Sequence, residues 1–186
     1  MKLNTLNTML ATIGLAAFTV FTGATSFAAS RQEIDASVSA TLTQFDSLNP
    51  HHHALLQKAA GVLIFPHVTK GGAGVAAEYG QGVLQIKGKT KGYYSVSSAS
   101  IGATLGVAKH SEIIVFMTQN SLDQFVNSNG WSIGADAGIA IVKGVAGDYD
   151  TQTLQQSILG FVFGEKGLIA DVSLEGTKIN KLEKLS

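Results

Sequence analysis

The sequence predicts an α+β domain made mainly of antiparallel strands, partly closed and barrel-like, with N-terminal helices and one inserted helix. Two patterns support this fold class. Apolar residues recur at helical spacing over residues 31–48, and from Gly61 onward short β-branched runs alternate with Gly or Asp. Residues 29–186 are also long enough to bury the core of one domain.

The first 28 residues are typical of a cleavable secretory signal peptide. Lys2 supplies the positive charge, and residues 9–21 form an apolar segment that is too short to span a bilayer. Small residues at Ser26 and Ala28 predict cleavage after Ala28. The predicted organisation is a signal peptide over 1–28 and a single domain over 29–186. The alternative is an uncleaved anchor or a core helix.

Composition excludes several classes of protein. The chain has 13 basic and 13 acidic residues and no cysteine. Without cysteine there is no disulfide framework, no thiol catalysis and no lipid attached to an N-terminal cysteine. The balanced charge argues against a nucleic-acid-binding polycation. No later segment has 18 uninterrupted apolar residues, so we expect no spanning helix.

Three helices are predicted. In the first, residues 31–48, an apolar stripe is formed by Ile34, Val38, Leu42, Phe45 and Leu48. Ser30 and Glu33 have the spacing of a capping box. A short second helix covers 51–60 and the inserted one 120–129. The stripe predicts packing on the core; the alternative is a membrane-surface helix, although its polar face is poor in Lys and Arg. If the protein binds lipid, we expect the apolar residues of this helix to contact acyl chains.

The remainder of the chain is predicted as short strands separated by tight turns. The predicted strands are 62–65, 73–79, 83–87, 93–96, 101–108, 113–117, 133–142, 158–163, 168–174 and 178–182. Glycine tolerates positive φ, so turns are expected at 70–72, 80–82, 164–167 and 175–176.

The sequence shows no recognisable catalytic, cofactor or metal motif. The run 51–53 is three consecutive histidines, which do not share one helix face and are expected to be solvated at a helix start. His67 and His110 are isolated. There is no G-x-S-x-G, and the glycines at 71–74 lead into a strand rather than a phosphate-binding helix. We therefore predict a protein that is not an enzyme, with no catalytic residues, no metal and no cofactor.

One basic patch is the candidate binding site. Three lysines alternate along a predicted hairpin, a fourth lies in the preceding turn, and two tyrosines follow, a combination suited to lipid headgroups. The predicted lipid-binding residues are Lys70, Lys87, Lys89, Lys91, Tyr93 and Tyr94. The alternative is a solvated edge that its lysines protect against strand pairing.

Several blocks of sequence resemble one family. The opening block is 58–74, KAAGVLIFPHVTKGGAG. Further blocks lie at 78–84, 92–95, 100–102, 116–118, 122–125, 130–137, 160–168 and 173–179. Together they are similar to the SYLF domain over about residues 31–182, in its bacterial exported branch. The chain departs from the family at 103–106, where the family often has a Gln after its Ser-x-Gly.

The resemblance implies lipid binding, because the SYLF family includes phosphoinositide- and actin-binding proteins. We do not carry actin binding over to an exported chain. The predicted function is that of an exported, non-enzymatic protein of the bacterial envelope, periplasmic or secreted or peripheral on the outer membrane. Its partner would be phospholipid or a membrane surface. The alternatives are an envelope structural or stress protein that binds another protein, and an unrecognised hydrolase.

Overall fold

A computed structural model describes residues 30–136, 138–142, 151–169 and 173–183. The predicted signal peptide lies outside these residues. The helices are α1 (Arg31–Leu48), α2 (His52–Lys58), α3 (Gln119–Val126) and α4 (Thr151–Leu154). The strands are β1 (Gly61–Ile86), β2 (Lys89–Phe116), β3 (Trp131–Ser132), β4 (Ala140–Ile141), β5 (Ile158–Gly164), β6 (Gly167–Leu168) and β7 (Lys178–Lys181).

The described strands form one seven-stranded sheet centred on β2. Its path is β3-β7-β2-β5-β4, with β1 also paired to β2 and β6 to β5. Every pairing is antiparallel except that of β4 with β5. The predicted α+β class with a mainly antiparallel sheet is confirmed. The path of the described strands is open, without the barrel-like closure that the sequence suggested.

β1 and β2 are two very long strands joined by one tight turn. At that turn Lys87 has a φ of 51° and Gly88 a φ of 71°, which are the left-handed conformations that a two-residue hairpin turn needs. The turns predicted at 70–72 and 80–82 are wrong, because both segments lie inside β1. Five predicted short strands between residues 62 and 108 are therefore parts of two continuous ones.

The long hairpin bends back on itself near its middle. The bend comprises residues 72–75 of β1 and 101–106 of β2, where the register shifts and Gly74 has a φ of 77°. Beyond it, the second half of β1 returns across the first half. A Cβ added to Gly82 would overlap the Ile64 carbonyl oxygen, and one added to Gly80 would lie 2.9 Å from the His67 carbonyl oxygen. These glycines permit close backbone approach rather than turns.

The apolar run at the start of β1 is buried on both faces. Leu63 and Phe65 belong to one core cluster, whereas Val62 and Ile64 belong to a second one. α1 covers the second cluster with Ile34, Val38 and Phe45, and its predicted capping box is present. The apolar stripe of α1 is therefore core. The expectation that its apolar residues contact acyl chains is wrong, because the stripe is packed on the sheet.

Several C-terminal predictions are confirmed and others are not. The predicted strands at 158–163 and 178–182 correspond to β5 and β7, and the turn between Gly164 and Gly167 is a two-residue hairpin. Where a strand is predicted over 133–142, the described residues have a turn at Gly134, whose φ is 93°, and the two-residue strand β4. The two-residue strand β3 ends just before this range. Part of the predicted strand 168–174 lies outside the described residues, and α4 was not predicted.

Within the described ranges, no helix combines the length and apolar character that crossing a membrane requires.

One of the three consecutive histidines is part of the core. The His52 ring stacks on Phe45 with centroids 3.7 Å apart, and its Nδ1 contacts the Phe45 carbonyl oxygen. His52 is fully buried, so the prediction that all three are solvated is wrong for it; His51 and His53 are exposed. Burial lowers the pKa of His52, although the Phe45 carbonyl and Asp46 oppose this shift.

We expect His52 to make the protein sensitive to acid. Because the folded state lowers its pKa, the unfolded chain takes up the proton first as pH falls below about 6.5, and the free energy of unfolding decreases from there down to the folded-state pKa. The measurement is urea unfolding between neutral pH and pH about 5, compared with His52→Gln. The free energy of unfolding should fall more steeply with decreasing pH in the wild type than in His52→Gln, and the difference between these two slopes is the contribution of His52.

Candidate functional site

The structure separates the predicted lipid-binding lysines into two groups. Lys87 is in the hairpin turn, with Lys89 and Lys91 at the start of β2, and all three are exposed. Lys70 lies beside the bend, where its Nζ is 3.6 Å from Glu78 Oε1. Lys87 lines a cavity with Gly61, at the opposite end of the folded hairpin from the bend. The six predicted residues therefore do not form one patch.

The two predicted tyrosines are engaged inside the protein. The Tyr93 hydroxyl donates to Asp35 Oδ2 at 2.9 Å, and the Arg31 guanidinium lies 5.5 Å from the ring centroid. Burial, together with Asp35, raises the pKa of Tyr93. Tyr94 is in the core against Phe125, at a centroid distance of 5.1 Å, and burial raises its pKa. The Tyr94 ring is thus not on the surface as the prediction requires.

The bend carries the most exposed apolar side chains among the described residues. Ile101 is 91 % exposed, Val107 75 % and Val75 59 %. Val75 pairs directly with Ile101 across the two strands. We call these three side chains the bend surface. Exposed apolar side chains that are neighbours, as Val75 and Ile101 are, make the bend surface a candidate contact site.

The sequence around the bend surface is free of charge over two segments. Residues 71–77 read GGAGVAA and residues 99–108 read ASIGATLGVA. Lys70 immediately precedes the first segment, and Lys109 immediately follows the second. The strand pairing brings these two ends together, since Lys70 pairs with Ala108 and Thr69 pairs with Lys109. Sequence reasoning treated these segments as separate strands and missed the surface. The available signal was the absence of charge in two glycine-rich segments that flank lysines.

Two adjoining grooves run between α1 and the sheet, close to the bend. The first is about 870 Å³ and is lined by Ile34, Pro66, Glu78 and Tyr79, among others. The second is about 910 Å³ and is lined by residues that include His110 and Lys166. Pro66, His67 and Lys109 border both grooves. The grooves give solvent access to polar side chains buried below the bend.

Those polar side chains form a compact group of ionisable residues. His110 Nε2 lies 2.9 Å from Glu112 Oε1 and 3.8 Å from Glu78 Oε1. The Ser98 hydroxyl donates to Glu78 Oε2 at 2.6 Å. Glu112 is 2 % exposed, and its Oε2 has no hydrogen-bond partner. Burial raises the pKa of the Glu112 carboxyl, although His110 beside it acts to lower it.

The described strands form a mainly antiparallel sheet with an exposed apolar bend. The family model described as Ysc84, Las17-binding protein actin regulator, matches residues 97–185. This match supports the resemblance of the sequence blocks to the SYLF family. The match covers the second half of the bend, His110 and Glu112. A search of the curated proteins finds no match.

Proposed function

We propose that the protein is an exported, non-enzymatic domain of the bacterial envelope that binds phospholipid at a membrane surface. The SYLF family match supports a lipid-related binding role. The predicted signal peptide supports export to the periplasm or beyond, and the lack of a recognisable nucleophile motif supports a role without catalysis. The observation that carries the proposal is the bend surface.

The bend surface has the chemistry of a shallow membrane contact. Moving a Val or Ile side chain from water into an apolar phase gains roughly 1.5–3 kcal/mol, and each 1.4 kcal/mol is tenfold in binding. Ile101, Val107 and Val75 are exposed without charged neighbours in their own segments. Contact with acyl chains at the membrane boundary would remove this surface from water.

Charge beside the bend surface suits lipid headgroups. Lys109 is exposed and Lys70 is partly exposed, next to the uncharged segments of the hairpin. Lysines immediately flanking an inserted apolar side chain are placed to meet anionic headgroups, each worth about 1 kcal/mol near such a surface. A bilayer fits this arrangement of apolar centre and basic border better than a neutral protein surface would.

Flotation with liposomes tests the role of the bend surface. We expect the mature protein to float with phosphatidylcholine vesicles that contain phosphatidylglycerol. The double variant Val75→Ser/Ile101→Ser should lower the bound fraction by at least about tenfold in partition coefficient, because two apolar side chains are lost. Val126→Ser is the matched control, since Val126 is also exposed but lies on α3. An equal loss with the control would contradict the assignment to the bend.

The lysine groups are separated by a second set of variants. Lys70→Ala/Lys109→Ala should weaken flotation on anionic vesicles and reduce its dependence on salt. Lys87→Ala/Lys89→Ala/Lys91→Ala tests the patch predicted from the sequence. Unchanged flotation of that triple variant would show the hairpin-turn lysines to be a solvated edge, and loss equal to that of the bend variants would place lipid there instead.

The protein-binding alternative gives a distinct outcome. If no vesicle composition carries the protein upward, the lipid proposal is wrong. Capture of an envelope protein that depends on Ile101 and is unaffected by added vesicles would then favour the structural or stress role.

A further inference from the structure

The ionisable group beneath the bend has the composition of a metal site. It joins one histidine and two glutamates from two strands, and their donor atoms all lie within 4.8 Å of one another. His110 and Glu112 share a face of β2, since they are two positions apart in a strand. Glu78 reaches them only because β1 folds back at the bend. We propose that Glu78, His110 and Glu112 bind one divalent transition-metal ion, with Zn²⁺ as the best-suited probe.

The distances between the ligand atoms are close to those expected around one bound ion. Tetrahedral Zn²⁺ holds nitrogen and oxygen ligands at about 2.0–2.2 Å, which places the ligand atoms roughly 3.3–3.5 Å from each other. The His110 Nε2 distances of 2.9 Å to Glu112 and 3.8 Å to Glu78 bracket that value. Small side-chain rotations would therefore open the His110–Glu112 contact to admit the ion.

A second and independent observation is the unpaired oxygen of Glu112. This carboxylate is almost completely buried, and its Oε2 has no partner among the protein atoms described. A buried charge without a partner is costly, and cations are the usual compensation. His110 reaches only Oε1. A bound cation would use the remaining coordination capacity of this carboxylate.

Neighbouring residues orient the ligands. Ser98 donates to Glu78 Oε2, which leaves Oε1 directed toward His110. Outer hydrogen bonds of this kind fix ligating carboxylates in metal sites. Lys70 is the competing cation, but its Nζ is 3.6 Å from Glu78 Oε1 and about a third of its side chain is exposed. It is therefore free to turn toward solvent when an ion binds.

The grooves supply an entry path and an open coordination position. Glu78 lines the first groove and His110 lines the second. Three protein ligands beside a solvent-filled groove leave the fourth position of a tetrahedral ion for water. Because Glu78 belongs to the returning half of β1, the ion would also hold the two halves of the folded hairpin together.

Titration calorimetry of metal-free protein with ZnCl₂ tests this inference. The experiment uses a His51→Ala/His53→Ala background, because those two exposed histidines would otherwise give adventitious binding. We expect saturable binding of one ion per chain and an increase in Tm with Zn²⁺, since a ligand that binds only the folded state stabilises it. Co²⁺ in place of Zn²⁺ should give the visible absorption of a tetrahedral site.

Variants assign the site and decide the outcome. Glu78→Gln and Glu112→Gln should each weaken Zn²⁺ binding by at least tenfold and abolish the Co²⁺ absorption. Glu165→Gln, which changes another acid beside the second groove, is the control and should leave both unchanged. Absence of saturable binding, or an affinity that is unaffected by both ligand variants, would overturn the proposal and leave the group as an ion-pair network. Liposome flotation is measured separately, because the metal site does not depend on lipid binding.

Discussion

Replacing Gly82 with alanine is expected to destabilise the fold by about 3 kcal/mol, the upper part of the range for overpacking a core. The added Cβ would overlap the carbonyl oxygen of Ile64 and lie 2.7 Å from Phe65 Cδ1. The oxygen belongs to the backbone of a paired strand, so it is unable to rotate away. Relief would require the two halves of β1 to separate, which would disturb the core on both sides.

Urea unfolding at neutral pH measures this effect, with Gly71→Ala as the matched control. Gly71 is also inside β1, but its nearest neighbour to an added Cβ is Val107 Cγ2 at 3.7 Å. We expect the control to change the free energy of unfolding by less than about 1 kcal/mol. Equal midpoints for Gly82→Ala and the wild type would show that the halves of β1 do not approach as closely as the structure has them.

The glycines show where sequence reasoning reaches its limit. Glycine is favoured both by turns and by close backbone approach, and the two uses look alike in a sequence. Gly80 and Gly82 predict a turn but serve close approach, whereas the real turn is at Lys87 and Gly88. Lys87 adopts a positive φ that a lysine seldom has, so composition gave no signal for it.

Local signals were read correctly. The apolar spacing of 31–48 and the Ser30–Glu33 box predict α1 with its exact bounds, because helix formation depends on residues three and four apart. The two-residue turn at Glu165 and Lys166 follows from its glycines in the same way. These features depend on neighbours in sequence, whereas the bend depends on contacts between distant parts of the chain.

The same distinction applies to the candidate sites. Lysines next to aromatic residues are visible in a sequence, but burial of Tyr94 is not. The bend surface and the metal-ligand group both depend on the fold. Glu78 and His110 are far apart in the chain and meet only after β1 turns back across itself, so the sequence presents His110 as an isolated residue.

The buried hydrogen bond between His110 Nε2 and Glu112 Oε1 supports the second large effect that we expect. In metal-free buffer at neutral pH, His110→Ala should lower the free energy of unfolding by about 3 kcal/mol. The reason is the carboxylate rather than the lost ring. Glu112 is buried, His110 is its hydrogen-bond partner, and the other oxygen already has none. Removing His110 leaves both oxygens of a buried carboxyl group without a hydrogen-bond partner.

A double variant separates this cause from simple loss of packing. His110→Ala/Glu112→Leu removes the uncompensated carboxylate, so it should be more stable than His110→Ala alone, by about 2 kcal/mol if most of the penalty is electrostatic. His53→Ala is the control for an exposed pair, because His53 meets Asp46 at 3.0 Å on the surface, and its effect should stay below about 1 kcal/mol. If the double variant is no more stable than the single one, the cost arises from the cavity left by the imidazole and not from the unpartnered carboxyl group.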